Sequence, residues 1–312
     1  MRWEDYRRSD NVEDRRDERG GFETGGMQVP LGRGGLGIGG MIIVGVIALA
    51  LGVDPRILIG NLDQVMNQPQ FEQRGRPPMR PDGPVRPTSQ PKAAPLDQNG
   101  QFVAAVLAQT EDVWKQIFKQ SGQTYREPRL VLFANAVQSA CGFGQAATGP
   151  FYCPQDQRVY LDISFFRVLR ERFKAPGDFA AAYVVAHEVG HHVQYLMGIM
   201  QRVTQERQRA QKTESNALSV KLELQADCFA GVWAHHADSK LKVLEPGDVE
   251  KALAAASAIG DDRLQRQTQG RVAPESFTHG TSAQRQAWFT TGVKTGSVQR
   301  CNTFAPDAKP AS

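Results

Sequence analysis

The sequence predicts an α+β domain, a small sheet of short strands followed by a run of helices, preceded by a single transmembrane helix and a Pro-rich linker. Three observations carry that prediction. Short β-type segments cluster between positions 129 and 162. A three-to-four-residue apolar periodicity then dominates to the end of the domain. Upstream, twenty charge-free residues, 34–53, separate a charged tail from a stretch crowded with proline.

The 312 residues suit one large domain or two small ones. An apolar share of 40% is low for a wholly globular chain, so some of the length is expected as tail and linker. Lys and Arg number 37 against 33 acids, and the basic residues are scattered, which argues against nucleic-acid binding. Residues 1–33 hold seven Arg and eight acids without apolar periodicity, and are expected as a disordered cytoplasmic tail.

Residues 34–53 run through Met41-Ile42-Ile43-Val44-Gly45-Val46-Ile47. As a helix, twenty residues span about 30 Å, the thickness of a bilayer core. Polar flanks on both sides weigh against a buried core helix. A cleavable signal peptide is the closer rival, since Ala48-Leu49-Ala50 has the small-x-small form, but its charged n-region would be 33 residues long. An uncleaved anchor is preferred. Arg15, Arg16, Arg19 and Arg33 precede the span and only Arg56 follows closely, so the N-terminus is expected in the cytoplasm and the remainder outside it.

Residues 54–100 form the linker, with eight of the 18 prolines between 67 and 98. The domain occupies 101–305, and 306–312 are expected as a disordered end. Within the domain, apolar spacing predicts helices over 102–120, 164–173, 179–197, 213–237, 248–259 and 283–291, with Asp178 as an N-cap and Gly198 as a stop. Strands are expected over 129–137, 150–153 and 158–162.

His187-Glu188-Val189-Gly190-His191 matches H-E-x-x-H within one predicted helix. Positions i and i+4 share a face, so both imidazoles can reach one ion, and Glu188 can reach a water beside it. A catalytic zinc has three protein ligands and an open position. Glu223 and Asp227 repeat the i, i+4 spacing on a later helix whose neighbours are apolar, where unpaired carboxylates would be costly. Glu223 is expected as the third ligand. Asp227 is expected to accept the other ring N–H of a liganding His. Glu214 is a weaker ligand candidate, having no acid at i+4. The metzincin pattern fails, because Gln194 and Met197 stand where Gly and His are needed.

These segments, with Met1-Arg2-Trp3-Glu4, Gly149-Pro150-Phe151-Tyr152-Cys153, Glu223-Leu224-Gln225-Ala226-Asp227-Cys228 and Thr278-His279-Gly280-Thr281-Ser282, resemble the bacterial neutral zinc metallopeptidases over most of the chain. The chain is also similar to the wider gluzincin group of zincins, in which an E-x-x-x-D helix supplies the third ligand. The resemblance implies one Zn2+ per chain, a peptide or protein substrate, and a single-pass protein of the bacterial inner membrane with an extracytoplasmic catalytic domain.

In such an enzyme Glu188 acts as the base and His279 stabilises the oxyanion, although His279 equally suits an ordinary loop histidine. His192 is expected as a bystander, about 100° from His191 around the helix. His235 and His236 are expected to cap or solvate their helix end. Arg285 could pair with one of the motif carboxylates, but a surface position is favoured. Strand 158–162 is expected as the sheet edge over the cleft, open to a peptide. Cys141 and Cys153 flank a Gly-rich turn and are expected to bridge in an oxidising compartment, leaving Cys228 and Cys301. A buried Cys228 thiol, or one touching the metal, is the alternative. Two other functions share these motifs: a silent metal-binding envelope scaffold, and a zinc hydrolase of non-peptide amides.

Overall fold

A computed structural model describes residues 1–17, 96–145, 149–171, 173 and 177–311. All but Leu96 fall within one compact unit that joins the N-terminal segment to the chain from Asp97 onward. The predicted span 34–53 and nearly all of the linker lie outside the described residues. No helix among the described residues is long and apolar enough to cross a membrane.

A four-stranded sheet has the order β1 (Val12–Asp14), β2 (Arg129–Phe133), β6 (Arg158–Asp162), β5 (Phe151–Cys153). The first three are mutually parallel and β5 runs antiparallel to β6. Strands β3 (Ala136–Ser139) and β4 (Gly142–Gln145) form a separate hairpin. Leu130, Val131, Leu132, Val159, Tyr160 and Leu161 are all buried, as expected of strands covered on both faces.

Strand β6 is therefore not the sheet edge that its position before the metal helix suggested. It pairs with β2 on one side and β5 on the other. The uninterrupted Val-Tyr-Leu run is the interior-strand signal. The predicted strand 129–137 is broken into two at Asn135, which adopts a left-handed φ of 67°.

Eight helices follow among the described residues: α1 (Gln98–Gln120), α2 (Ser164–Glu171), α3 (Asp178–Leu196), α4 (Ile199–Arg209), α5 (Lys212–Leu241), α6 (Asp248–Ala258), α7 (Asp261–Gln269) and α8 (Ser282–Thr295). Helices α4 and α7 carry too little apolar periodicity to be read from sequence. Asp178 is the first residue of α3 rather than its cap, which is Gly177. Helix α3 packs against α1, β5, β6, α5 and α6. Helix α5 packs along α8 almost backbone to backbone. A Cβ on Gly292 would lie 2.0 Å from the Cys228 carbonyl, and one on Gly231 2.2 Å from that of Phe289.

The N-terminal segment departs most from expectation. Residues 1–17 are part of the domain rather than a disordered tail. Trp3 is buried, and its Nε1 donates to Asp178 at the start of α3 (3.1 Å). Strand β1 adds to the sheet edge, with Leu130 N donating to Asn11 O (2.9 Å) and Arg15 N to Leu132 O (2.8 Å). Much of the dense charge at positions 7–16 is paired. Arg7 meets Glu111 and Asp112, Arg15 meets Glu13, and Arg16 bridges Asp14 and Asp97. At the other end, the tail beyond 305 returns to α8, where Ala311 N donates to Thr291 Oγ1 (2.8 Å).

Candidate metal centre

Helix α3 starts after Gly177 and stops before Gly198, both with positive φ, and an acid in its first turn suits the helix dipole. His187 and His191 sit one turn apart, with ring centroids 4.8 Å apart and nearly perpendicular. Helix α5 brings Glu223 to both. His187 Nε2 lies 3.2 Å from Glu223 Oε2, and His191 Nε2 lies 3.5 Å from Glu223 Oε1. One ligand atom from each of the three residues lies within 4.8 Å of the others, and no other such group occurs among the described residues.

The outer nitrogens are held as well. His187 Nδ1 donates to Asp227 Oδ1 (2.9 Å), and His191 Nδ1 donates to Gln194 Oε1 (2.9 Å). Gln194 is buried, and its amide donates to Leu222 O (2.7 Å) and Gln225 Oε1 (3.1 Å), which turns its oxygen toward His191. With Nδ1 of each ring committed to its acceptor, Nε2 is the atom that each ring offers to an ion.

Asp227 is fully buried and saturated. It accepts from Tyr183 Oη (2.5 Å), Arg285 Nε (2.8 Å), Arg285 Nη2 (2.9 Å) and His187. Burial pushes its carboxyl up, but the Arg285 guanidinium and His187 outweigh it and hold it below the ordinary value. Burial likewise pulls the His187 imidazole down, and Asp227 overrides it, raising it to about 10. Glu223 is held well below its ordinary value, because the charges of His191 and His187 exceed the cost of its burial. Glu188 is different. Burial raises its pKa above the ordinary value despite the two imidazoles nearby.

His279 stands half exposed, its Nδ1 3.2 Å from Asp261 Oδ1. Asp261, the first residue of α7, also accepts the backbone N–H groups of Thr278 (2.7 Å), His279 (2.6 Å) and Gly280 (3.1 Å). The loop seats on α5 beside Glu223, since a Cβ on Gly280 would touch Val220 and Leu224 at 3.1 and 3.3 Å. The partial burial of the His279 ring pulls its pKa down, but Asp261 and the Glu223 charge raise it above the ordinary value.

Other expectations separate here. Arg285 is not a surface residue but is 1% exposed, because the α5–α8 contact draws it onto Asp227. His192 faces away from the cluster, between Tyr152 Oη (3.0 Å) and Arg126 O (2.6 Å), and burial pulls it down to about 4. His235 and His236 reach the α8 carbonyls of Val293 and the following Gly296 rather than capping their own helix, which runs on to Leu241. Glu214 is exposed in the first turn of α5. Disulfides join Cys141 to Cys153 and Cys228 to Cys301, so Cys228 is not a free thiol. Gln194, Tyr183 and Asp261 escaped the sequence reading. Only the first carried a signal, a lone polar residue three positions after His191 on the buried face.

The donor set fits zinc. Two imidazole nitrogens and a carboxylate oxygen are ordinary zinc ligands, and ligands about 2.0–2.1 Å from a tetrahedral ion stand about 3.3 Å apart, close to the 3.2 and 3.5 Å between each imidazole and a Glu223 oxygen. A family model described as "Putative neutral zinc metallopeptidase" matches residues 1–304. The chain belongs to this family. YpfJ of Escherichia coli K12 is 48% identical to it over 306 residues, covering 97% of this chain and 99% of that protein. Rv2575 of Mycobacterium tuberculosis H37Rv is 45% identical over 213 residues, covering 65% of this chain and 70% of its own. Neither relative's name assigns an activity. No solved structure matches the chain.

Proposed function

We propose that this family member is a zinc-dependent peptidase that hydrolyses peptide bonds. The observation that carries the reading is the convergence of His187 Nε2, His191 Nε2 and a Glu223 oxygen, with Asp227 and Gln194 fixing both ring tautomers. Zinc held by these three would acidify water and polarise a carbonyl as a Lewis acid.

The chain's own groups supply the rest. Glu188, with its pKa raised by burial, suits a group that takes a proton from the attacking water and returns it to the leaving amine. His279, held by Asp261 through Nδ1, keeps Nε2 for the oxyanion that develops on the substrate. Asp227 and Arg285 touch no reacting atom. They hold His187 in place.

Two disulfides support an oxidising compartment for the domain, and the apolar stretch 34–53 supports attachment to the bacterial inner membrane. The test compares metal content and peptide cleavage for the full chain and Glu188→Ala. The full chain is needed because residues 1–17 belong to the domain. We expect one zinc per chain in both and cleavage by the unsubstituted protein alone. Equal zinc with no cleavage of a broad peptide library by either protein would overturn the peptidase reading.

A further inference from the structure

We infer that residues 1–17 and the metal-binding domain lie on the same side of the membrane, so that the apolar stretch 34–53 does not carry the chain across it. The domain requires the N-terminal segment. Glu111 on α1 is 1% exposed. Its carboxylate is met by Arg7 Nη2 (2.8 Å), Ser9 Oγ (2.5 Å) and Asn11 Nδ2 (2.9 Å). Without residues 7–11 those contacts would be lost to a charge placed inside the fold, a costly arrangement. The same segment supplies β1 to the sheet and Trp3 to the start of the metal helix.

The described residues on either side of positions 18–95 meet. Arg16 Nη1 lies 2.8 Å from Asp97 Oδ2, so the two flanks of residues 18–95 stand at one place on the domain. A single crossing would put β1 and β2 on opposite sides of a bilayer, yet they are hydrogen-bonded neighbours. A double crossing would need about forty apolar residues. The charge-free stretch supplies twenty, and the sequence beyond it holds Asp54, Arg56, Asp63, Glu72 and Arg74 before most of its prolines. Attachment from one side, without crossing, satisfies both constraints.

The orientation signal weakens for the same reason. Of the four arginines that would hold the N-terminus in the cytoplasm, Arg15 and Arg16 are paired within the fold. This inference is independent of the peptidase chemistry, and its test reads no activity.

The test uses single cysteines at two exposed positions, Asp10→Cys and Lys119→Cys, in the full chain expressed in cells. A membrane-impermeant maleimide is applied to intact spheroplasts and again after lysis. We expect both positions to react in the same step and to within twofold of each other. Reaction of one before lysis and the other only after it would overturn the inference. As a second reading, the double substitution Arg16→Cys with Asp97→Cys is expected to form an intrachain link with a short bismaleimide in isolated membranes. Failure to link, with each cysteine reactive alone, would also overturn it. If both positions react only after lysis, the same-side inference stands and the oxidising-compartment reading falls.

Discussion

Gly190 lies against Ala226 where α3 and α5 cross. A Cβ built on Gly190 would stand 3.0 Å from the Ala226 carbonyl oxygen and 3.2 Å from its Cα. Gly190 precedes His191, and Ala226 lies between Glu223 and Asp227. The variable positions of the two short motifs thus set how closely His187 and His191 approach Glu223.

Gly190→Val is expected to separate the helices at this point and weaken zinc binding by at least about tenfold, while helical content is retained. Chelator competition checks affinity and far-ultraviolet circular dichroism checks the fold. Unchanged affinity would mean that the close approach does not govern the centre.

Arg285→Met should destabilise the protein by about 3–5 kcal/mol, because Asp227 would keep its buried charge without the guanidinium. The double variant with Asp227→Asn should recover part of the loss. Urea unfolding of the metal-free proteins gives both numbers. Equal losses in the single and double variants would show that the pair is not coupled.

Gln194→Met removes the acceptor for His191 Nδ1, and about a 10–100-fold loss of zinc affinity is expected. Gln194→Glu keeps that acceptor and should retain more affinity, although it gives up the donor to Leu222 O. The order of the two variants, measured by competition, decides whether ring orientation or packing is at stake.

The Asp261–His279 pair has a defined pH window. Asp261 is held below its ordinary value of 3.8, since His279 and three backbone N–H groups outweigh burial. Its contribution is present above that value and lost as pH falls through the lower folded one. His279 is raised above 6.5, so its contribution is complete below 6.5 and lost as pH rises through the raised value. The gap in melting temperature between the unsubstituted protein and Asp261→Asn should be widest between pH 3.8 and 6.5. It should close in stronger acid and narrow only in part on the alkaline side, where the backbone bonds persist. Calorimetry across that range checks it, and NMR titration should show the His279 pKa falling in the variant.

The H-E-x-x-H and E-x-x-x-D spacings were legible because a helix has one period. Residues four apart share a face whatever the rest of the chain does. The longer helices, the two buried strands of the sheet at 129–133 and 158–162 and the candidate ligands followed from such local rules. Residues 1–17 were not legible. Their partners, Glu111, Leu130 and Asp178, lie more than a hundred residues away, and charge density read locally cannot distinguish a solvated tail from a set of ion pairs.

Arg285 makes the same point within the site. Its place on a helix allowed either a surface position or a pairing with a motif carboxylate, and nothing local chose between them. The Gly231–Gly292 crossing of α5 and α8 did so, by setting its guanidinium against Asp227. The sequence by itself determined which side chains could bind a metal, through helical periodicity. Only the tertiary structure decided which polar groups orient them and which end of the chain completes the sheet, because those choices depend on contacts between distant segments that no local pattern encodes.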